Sequence, residues 1–276
     1  MYRFVNNLKT TVLMGSLMGL CLAVGYLIGG RGAMLPALVL GGMMNLLAYF
    51  FSDKIALATM RATQITEADA PELWGIVERL TQRAGLPMPR VYVSPASAPN
   101  AFATGRNPRH SAVCVTEGLL QILNREELEG VLAHELSHIK HRDVLISTIA
   151  AIMAGAITWL TYMIFWGDSD RRSNPLVSLL ILIFAPMAAG LIRMAISRSR
   201  EFEADCMGAE LVGSGRGLAR SLQKLDAASR RIPLPVPDAQ SGLFIVQPLT
   251  GSGFTRLFST HPPTEERIAR LLQMGS

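Results

Sequence analysis

The run His134-Glu135-Leu136-Ser137-His138 decides how the rest of the chain is read. On an α-helix, residues four apart share a face. His134 and His138 can therefore turn both imidazoles toward one metal ion. Glu135 lies about 100° round the helix from His134, within reach of a metal-bound water without being a ligand. Two His ligands with a Glu general base form the zincin arrangement. Zinc lowers the pKa of its water from about 16 to about 7. Glu135 would take a proton as that water attacks a peptide carbonyl, and pass it to the leaving amine. Leu128, Leu132, Leu136 and Ile139 form a separate apolar stripe that seats the helix. The competing account is a surface helix with two unrelated histidines. The packing face and a plausible further ligand weigh against it.

That further ligand is an acid or His presented from elsewhere in the chain. A metzincin places Gly and then His downstream, but those positions hold His141 and Val144, which excludes that class. The run Ser197-Arg198-Ser199-Arg200-Glu201-Phe202-Glu203-Ala204-Asp205 supplies acids. Glu201 and Asp205 are four apart, so Glu201 can bind the metal while Asp205 accepts a hydrogen bond from a ligand His and fixes its tautomer. Glu203 faces about 200° away. A solvated, charged helix start is the plainer account of the same run.

The surroundings of these motifs are apolar. Half of the 276 residues are hydrophobic and 17% are charged, against about 25% in a soluble domain; mean hydropathy is +0.31. The net charge of +5 is modest, and no basic stripe marks a nucleic-acid protein. Stretches 10–30, 32–52, 144–166 and 173–192 lack charge over roughly the 20 residues of a bilayer span. Only Arg31 separates the first two, which read as a tight, retained helical hairpin. A buried hairpin in a soluble core is the alternative for the last two. Arg3, Lys9, Lys54, Arg61, Lys140, Arg142, Arg193, Arg198 and Arg200 flank one side. Arg31, Arg171 and Arg172 flank the other, the last two beside Asp168 and Asp170. The positive-inside rule then puts both termini and the middle segment in the cytoplasm. Cys21, Cys114 and Cys206 show no CxxC spacing, which fits a reducing compartment.

Four parts follow: an N-terminal hairpin over 10–52, a polar part over 53–143 carrying the HELSH helix, a second hairpin over 144–196, and a polar part over 197–276. In the first polar part, the spacing of Leu73, Ile76, Val77 and Leu80 predicts a helix over 71–84 closed by Gly85. Residues 91–94 and 112–116 read as strands, and 100–104 as a third with a turn at 105–110. Asn124 caps a helix that runs through His138 and on toward the third apolar stretch. In the second, helices are expected near 198–212 and 217–228, a loop over 232–248, and a short amphipathic helix over 263–274. His110 reads as a turn residue and His141 as interfacial. The methionines of the spans, Met43 and Met44 among them, read as packing.

HELSH, SRSREFEAD and THPPTEERI, in this order and interrupted by an apolar hairpin, together resemble the HtpX family of membrane zinc metalloproteases, kin to the gluzincin-type CAAX prenyl proteases. The resemblance covers nearly the whole chain. It implies a mainly α integral membrane protein, with four transmembrane helices and a cytoplasmic α+β protease domain carrying a small sheet. It implies one zinc ion on His134, His138 and Glu201, selecting Glu201 over Glu203. Glu135 matches the catalytic Glu, and Asp205 the acid behind the ligands. His261 and Arg267 match residues near the substrate carbonyl, where a donor can stabilise an oxyanion. Asn100, Ala101 and Phe102 match an edge strand on which a peptide adds by strand pairing; an ordinary hairpin strand is the alternative. The implied role is endopeptidase quality control at the bacterial inner membrane. Substrates would be peptides or misassembled membrane proteins, in contact with the bilayer and with other membrane proteases, and without nucleic acid. A prenyl-protein protease needs an enclosed chamber that four spans are too few to wall off. A non-catalytic zinc scaffold would not need Glu135.

Overall fold

The computed structural model describes residues 2–142, 200–229 and 262–274, with side chains of the first helix described in part. The second hairpin (144–196), the loop at 232–248 and His261 lie outside the described residues.

Helix α1, Tyr2–Thr59, is two helices meeting at Gly29 and Gly30. Gly30 adopts φ 62°, ψ −152°, which a residue bearing a Cβ rarely tolerates. The chain therefore turns back one residue before the predicted separator Arg31. A Cβ on Gly25 would meet Ala37, and one on Gly42 would meet Met18, so the two arms run antiparallel as a hairpin. Tyr26, Leu35, Val39, Met43, Leu46 and Phe50 are exposed on it. Among the described residues, no helix is long and apolar enough to cross a membrane.

The polar part folds as a small sheet with helices packed on it. Its strands are β1 Thr63–Ile65, β2 Arg90–Ser94, β3 Ala101–Gly105 and β4 Ser111–Thr116, in the order β1-β2-β4-β3. β2 and β4 are parallel, and the two outer pairings are antiparallel. Helix α2, Pro71–Ala84, ends on Gly85 in the left-handed region (φ 66°). The Leu86 amide donates to Thr81 O at 2.9 Å, completing the cap. Helix α3, Glu117–Ile122, follows β4 directly. Neither β1 nor α3 is expected from the sequence, because three and six residues are too short to show a period.

Helix α4, Arg125–His141, begins with a capping box: Asn124 Oδ1 accepts from the Glu127 amide, and Glu127 Oε2 accepts from the Asn124 amide. Its stripe residues Leu128, Leu132, Leu136 and Ile139 are all buried in the main core. That core joins them to Ile76, Val77 and Leu80 of α2 and to Val91, Val113 and Val115 of the sheet. The expected continuation of this helix toward the third apolar stretch is corrected. Arg142 takes φ 58°, and its amide closes on His138 and Ile139 carbonyls, so α4 stops there.

Among the described residues, three further helices follow: α5, described over 200–212, α6, Arg216–Ser229, and α7, Thr264–Gln273. A Cβ on Gly130 of α4 would lie 2.6 Å from the Leu218 amide nitrogen, so α4 and α6 cross at backbone contact. The opposite face of the sheet is covered by the end of α1. Ala56 and Leu57 bury against Phe102, Ala112 and Cys114, and Arg90 pairs with Asp53 at 2.6 Å. The N-terminal hairpin is therefore tied to the domain rather than strung from a linker.

Candidate metal centre

The one-turn spacing in α4 brings His134 Nε2 within 3.1 Å of His138 Nε2. Glu201, entering from α5, places Oε2 3.6 Å from His134 Nε2 and Oε1 3.6 Å from His138 Nε2. One ligand atom from each of the three residues lies within 4.8 Å of the other two. Two imidazole nitrogens and a carboxylate oxygen at this spacing suit a tetrahedral ion with one open position. The donors therefore fit zinc. His134 and Glu201 are buried.

α5 can come this close because of a glycine. A Cβ on Gly208 would lie 3.1 Å from the His134 amide nitrogen and 3.3 Å from its Cα. Glu201, Asp205 and Gly208 fall at i, i+4 and i+7, so one helix face carries both acids and, one turn beyond them, bare backbone. Glu203 is exposed, facing away as its spacing requires. Gly208 was not foreseen from sequence. The i+7 step from Glu201 is the signal that could have found it.

Behind the ligands sits a buried ionic cluster. Asp205 Oδ1 lies 2.9 Å from His134 Nδ1, which leaves Nε2 turned to the other ligands. Arg267 of α7 donates to Asp205 through Nε (2.8 Å) and Nη2 (2.7 Å), and its Nη1 is 3.5 Å from Glu201 Oε2. Burial disfavours the Asp205 charge, but Arg267 outweighs it and holds the carboxyl down at about 2. Burial also disfavours charge on His134, but the Asp205 and Glu201 carboxylates raise it to about 10. The cluster thus calls for positive charge at the His134 ring, which a divalent ion would supply in place of the proton. Arg267 is fixed behind the ligands by Asp205.

Glu135 is buried on the neighbouring face of α4, and burial pushes its carboxyl above the usual range. Its Oε2 accepts from the Ala103 amide of β3 at 2.8 Å. That contact was not expected from sequence, since α4 and β3 are joined only by the fold. Among the described residues, β3 is one of the two edge strands, at the end of the sheet opposite β1. The Asn100 amide donates to Thr116 Oγ1, and the Asn100 carbonyl accepts from the Thr116 amide. Strand alternation then turns the main chain of Asn100 and Phe102 toward β4 and that of Ala101 and Ala103 outward. Of the three residues expected on a substrate strand, Ala101 alone offers its backbone to the open edge. Phe102 buries its ring on the α1 side of the sheet.

A His-His-Glu set that could hold a metal ion, beside an acid on the helix and under the edge of a small sheet, is the site of a metallopeptidase. The chain belongs to peptidase family M48, whose sequence profile matches residues 67–274. It is 52% identical over 280 residues to a Protease HtpX homolog of Pelotomaculum thermopropionicum, covering 98% of this chain and 100% of that one. A Protease HtpX homolog of Pyrococcus furiosus is 51% identical, over 97% of this chain and 95% of its own. Among solved structures, the crystal structure of S. mikatae Ste24p matches 98% of this chain and 66% of its own, with a TM-score of 0.52 at 20% identity. That likeness is one of fold.

Proposed function

We propose that the protein is a membrane-bound zinc endopeptidase that cuts misfolded or damaged membrane proteins on the cytoplasmic face of a bacterial inner membrane. The observation that carries the reading is the meeting of His134, His138 and Glu201 within ligand distance of one another, with Glu135 beside them held by the β3 edge. His134, His138 and Glu201 hold the zinc. When bound, zinc polarises a water and brings its pKa to about 7.

Glu135 takes the proton from the attacking water and delivers it to the leaving nitrogen. Its raised pKa suits a group that must hold that proton between the two steps. The Ala103 amide keeps the carboxylate aimed during the transfer. A substrate segment pairs in extended form along the outer edge of β3, where the Ala101 backbone faces out. Asp205 holds His134 in the tautomer that offers Nε2, and Arg267 holds Asp205. His261, in the same THPPTEERI segment as Arg267, is assigned the oxyanion donor on family resemblance.

Four spans anchor the chain: the hairpin over 10–52 and a second over 144–196. Support comes from the charge-free stretches, the basic flanks, and the apolar side chains exposed along α1. The protease parts at 53–143 and 197–276 then sit at the cytoplasmic surface, within reach of loops of misassembled membrane proteins. Other membrane proteases of quality control are its expected company.

The test is proteolysis of a membrane substrate by the membrane-embedded protein, comparing the parent with Glu135→Ala, with and without a zinc chelator. Cleavage by the parent should stop with chelator and return with added zinc, and the variant should be inactive throughout. An active Glu135→Ala protein would sink the mechanism.

A further inference from the structure

The foot of the N-terminal hairpin meets the sheet in a groove of about 690 Å3 that the catalytic centre does not use. Its walls include Phe50, Lys54, Arg90, Arg106, Arg109 and His110. Among the described residues, the one carboxylate lining it, Asp53, is engaged by Arg90 at 2.6 Å. Among the described residues, Lys54, Arg106 and Arg109 form no ion pair with an acid. Arg106 instead lies 5.5 Å from the centre of the Phe50 ring, and Lys54 lies 5.4 Å from that of Phe51. Arg109 is exposed, on a short 3-10 turn whose start Asn107 caps.

Three features of this groove coincide. Among the described residues, it gathers four basic side chains against one paired acid, which calls for an anion. Its rings continue the exposed apolar face of α1, through Leu46, Leu47, Phe50 and Phe51, so the anion must tolerate hydrocarbon on one side. It also lies where stretch 32–52 gives way to polar chain, the depth at which headgroups meet a span. A soluble anion would need only the first feature. A phosphate carrying acyl chains satisfies all three.

We propose that this groove is a binding site for the headgroup of an anionic phospholipid, seating the protease domain on the cytoplasmic leaflet. The lipid phosphate lies between Arg106 and Arg109, and its chains run along the Phe50 side of α1. Because Ala56 and Leu57 pack on the back of the β3–β4 pair, a headgroup held there fixes the height of the β3 edge, and so of Glu135, above the membrane. The inference rests on the membrane reading of the hairpin, and the experiment separates the two.

Full-length protein in detergent is equilibrated with phosphatidylglycerol or phosphatidylcholine, and bound lipid is counted by native mass spectrometry. The parent should retain phosphatidylglycerol in clear preference. The double variant R106E/R109E should lose that preference on the order of tenfold or more, given the effect of each basic residue near an anionic surface. R106K/R109K, which keeps the charge, should retain most of it. Unchanged zinc content and Tm in both variants show that the fold is intact. Equal retention of the two lipids by the parent overturns the proposal, as does a parent-like R106E/R109E. Displacement by inorganic phosphate at matched concentration overturns it too, in favour of a free-anion site. Carbonate washing of the source membranes reads the other premise. Release of the parent defeats the membrane reading itself, whereas retention without lipid preference defeats only the headgroup site.

Discussion

Arg267 grips Asp205 with two parallel hydrogen bonds, 2.8 and 2.7 Å long, across a gap of 62 residues in the chain. The pair is buried, and Asp205 in turn meets the His134 ring at 2.9 Å. Helix α7 thus sets the orientation of a histidine of the candidate metal site on α4.

Breaking that grip should loosen the metal before it stops the chemistry. Asp205→Asn should weaken zinc binding by roughly 10- to 100-fold, the usual effect of removing a group that orients a ligand. Arg267→Ala strips the buried Asp205 charge of its arginine and leaves it only the His134 ring, at a cost of about 3–5 kcal/mol. Competition with a zinc chelator and thermal melting read the two effects separately. Excess zinc should restore much of the activity of Asp205→Asn, and a failure to do so would mean Asp205 acts directly in the reaction.

Glu135→Gln should behave in the opposite way. It keeps the size of the side chain and can still meet the Ala103 amide, so zinc content should stay at one ion per chain. Activity should fall by about 10²- to 10⁴-fold, the range for loss of a general base. Metal analysis beside a peptidase assay on one preparation settles it. Loss of zinc in this variant would make Glu135 a ligand instead.

Gly208 tests the approach of α5. Gly208→Val puts methyl groups where 3.1 Å to the His134 backbone is already tight. The expected cost is about 1–3 kcal/mol from overpacking, together with reduced zinc occupancy as Glu201 is pushed back. Gly75→Ala in α2 is the control. Its Cβ meets only the end of Arg79 at 3.5 Å, so it should stabilise by about 0.5–1 kcal/mol. Melting temperatures of the two variants should move in opposite directions.

Burial pushes the Cys114 thiol up to about 12. A folded-state value above the free one means the fold favours the neutral thiol. Any stability from this group is full below the free value of about 9 and falls as pH rises from there toward 12. Native protein at pH 8 should therefore resist alkylation at Cys114, while the half-buried Cys206 reacts. Mass spectrometry of labelled peptides distinguishes the sites. Rapid labelling of Cys114 in folded protein would show that the sheet face under α1 opens.

Much of the local structure was legible in the chain. The period of Leu73, Ile76, Val77 and Leu80 gave α2, and Gly85 gave its end. Asn124 as a cap gave the start of α4, because a cap is a contact between near neighbours in the chain; the reciprocal bond from Glu127 came only with the structure. Strands β2, β3 and β4 lie within one residue of their expected bounds. The tilt of Glu203 away from the site followed from the helical turn alone.

What the sequence by itself determined, then, is which residues share a face: His134 with His138, and Glu201 with Asp205. Helical periodicity is a property of neighbours, and it needs no knowledge of the rest of the chain. Only the tertiary structure decided that these two faces meet, through Gly208 against the His134 backbone. It alone joined Arg267 to Asp205, put the Ala103 amide on Glu135, and set the basic groove against the foot of α1. These are contacts between segments 32 to 74 residues apart, fixed by how the sheet, α4 and α5 pack together. No local pattern encodes them, because the free energy that forms them comes from burying the shared core.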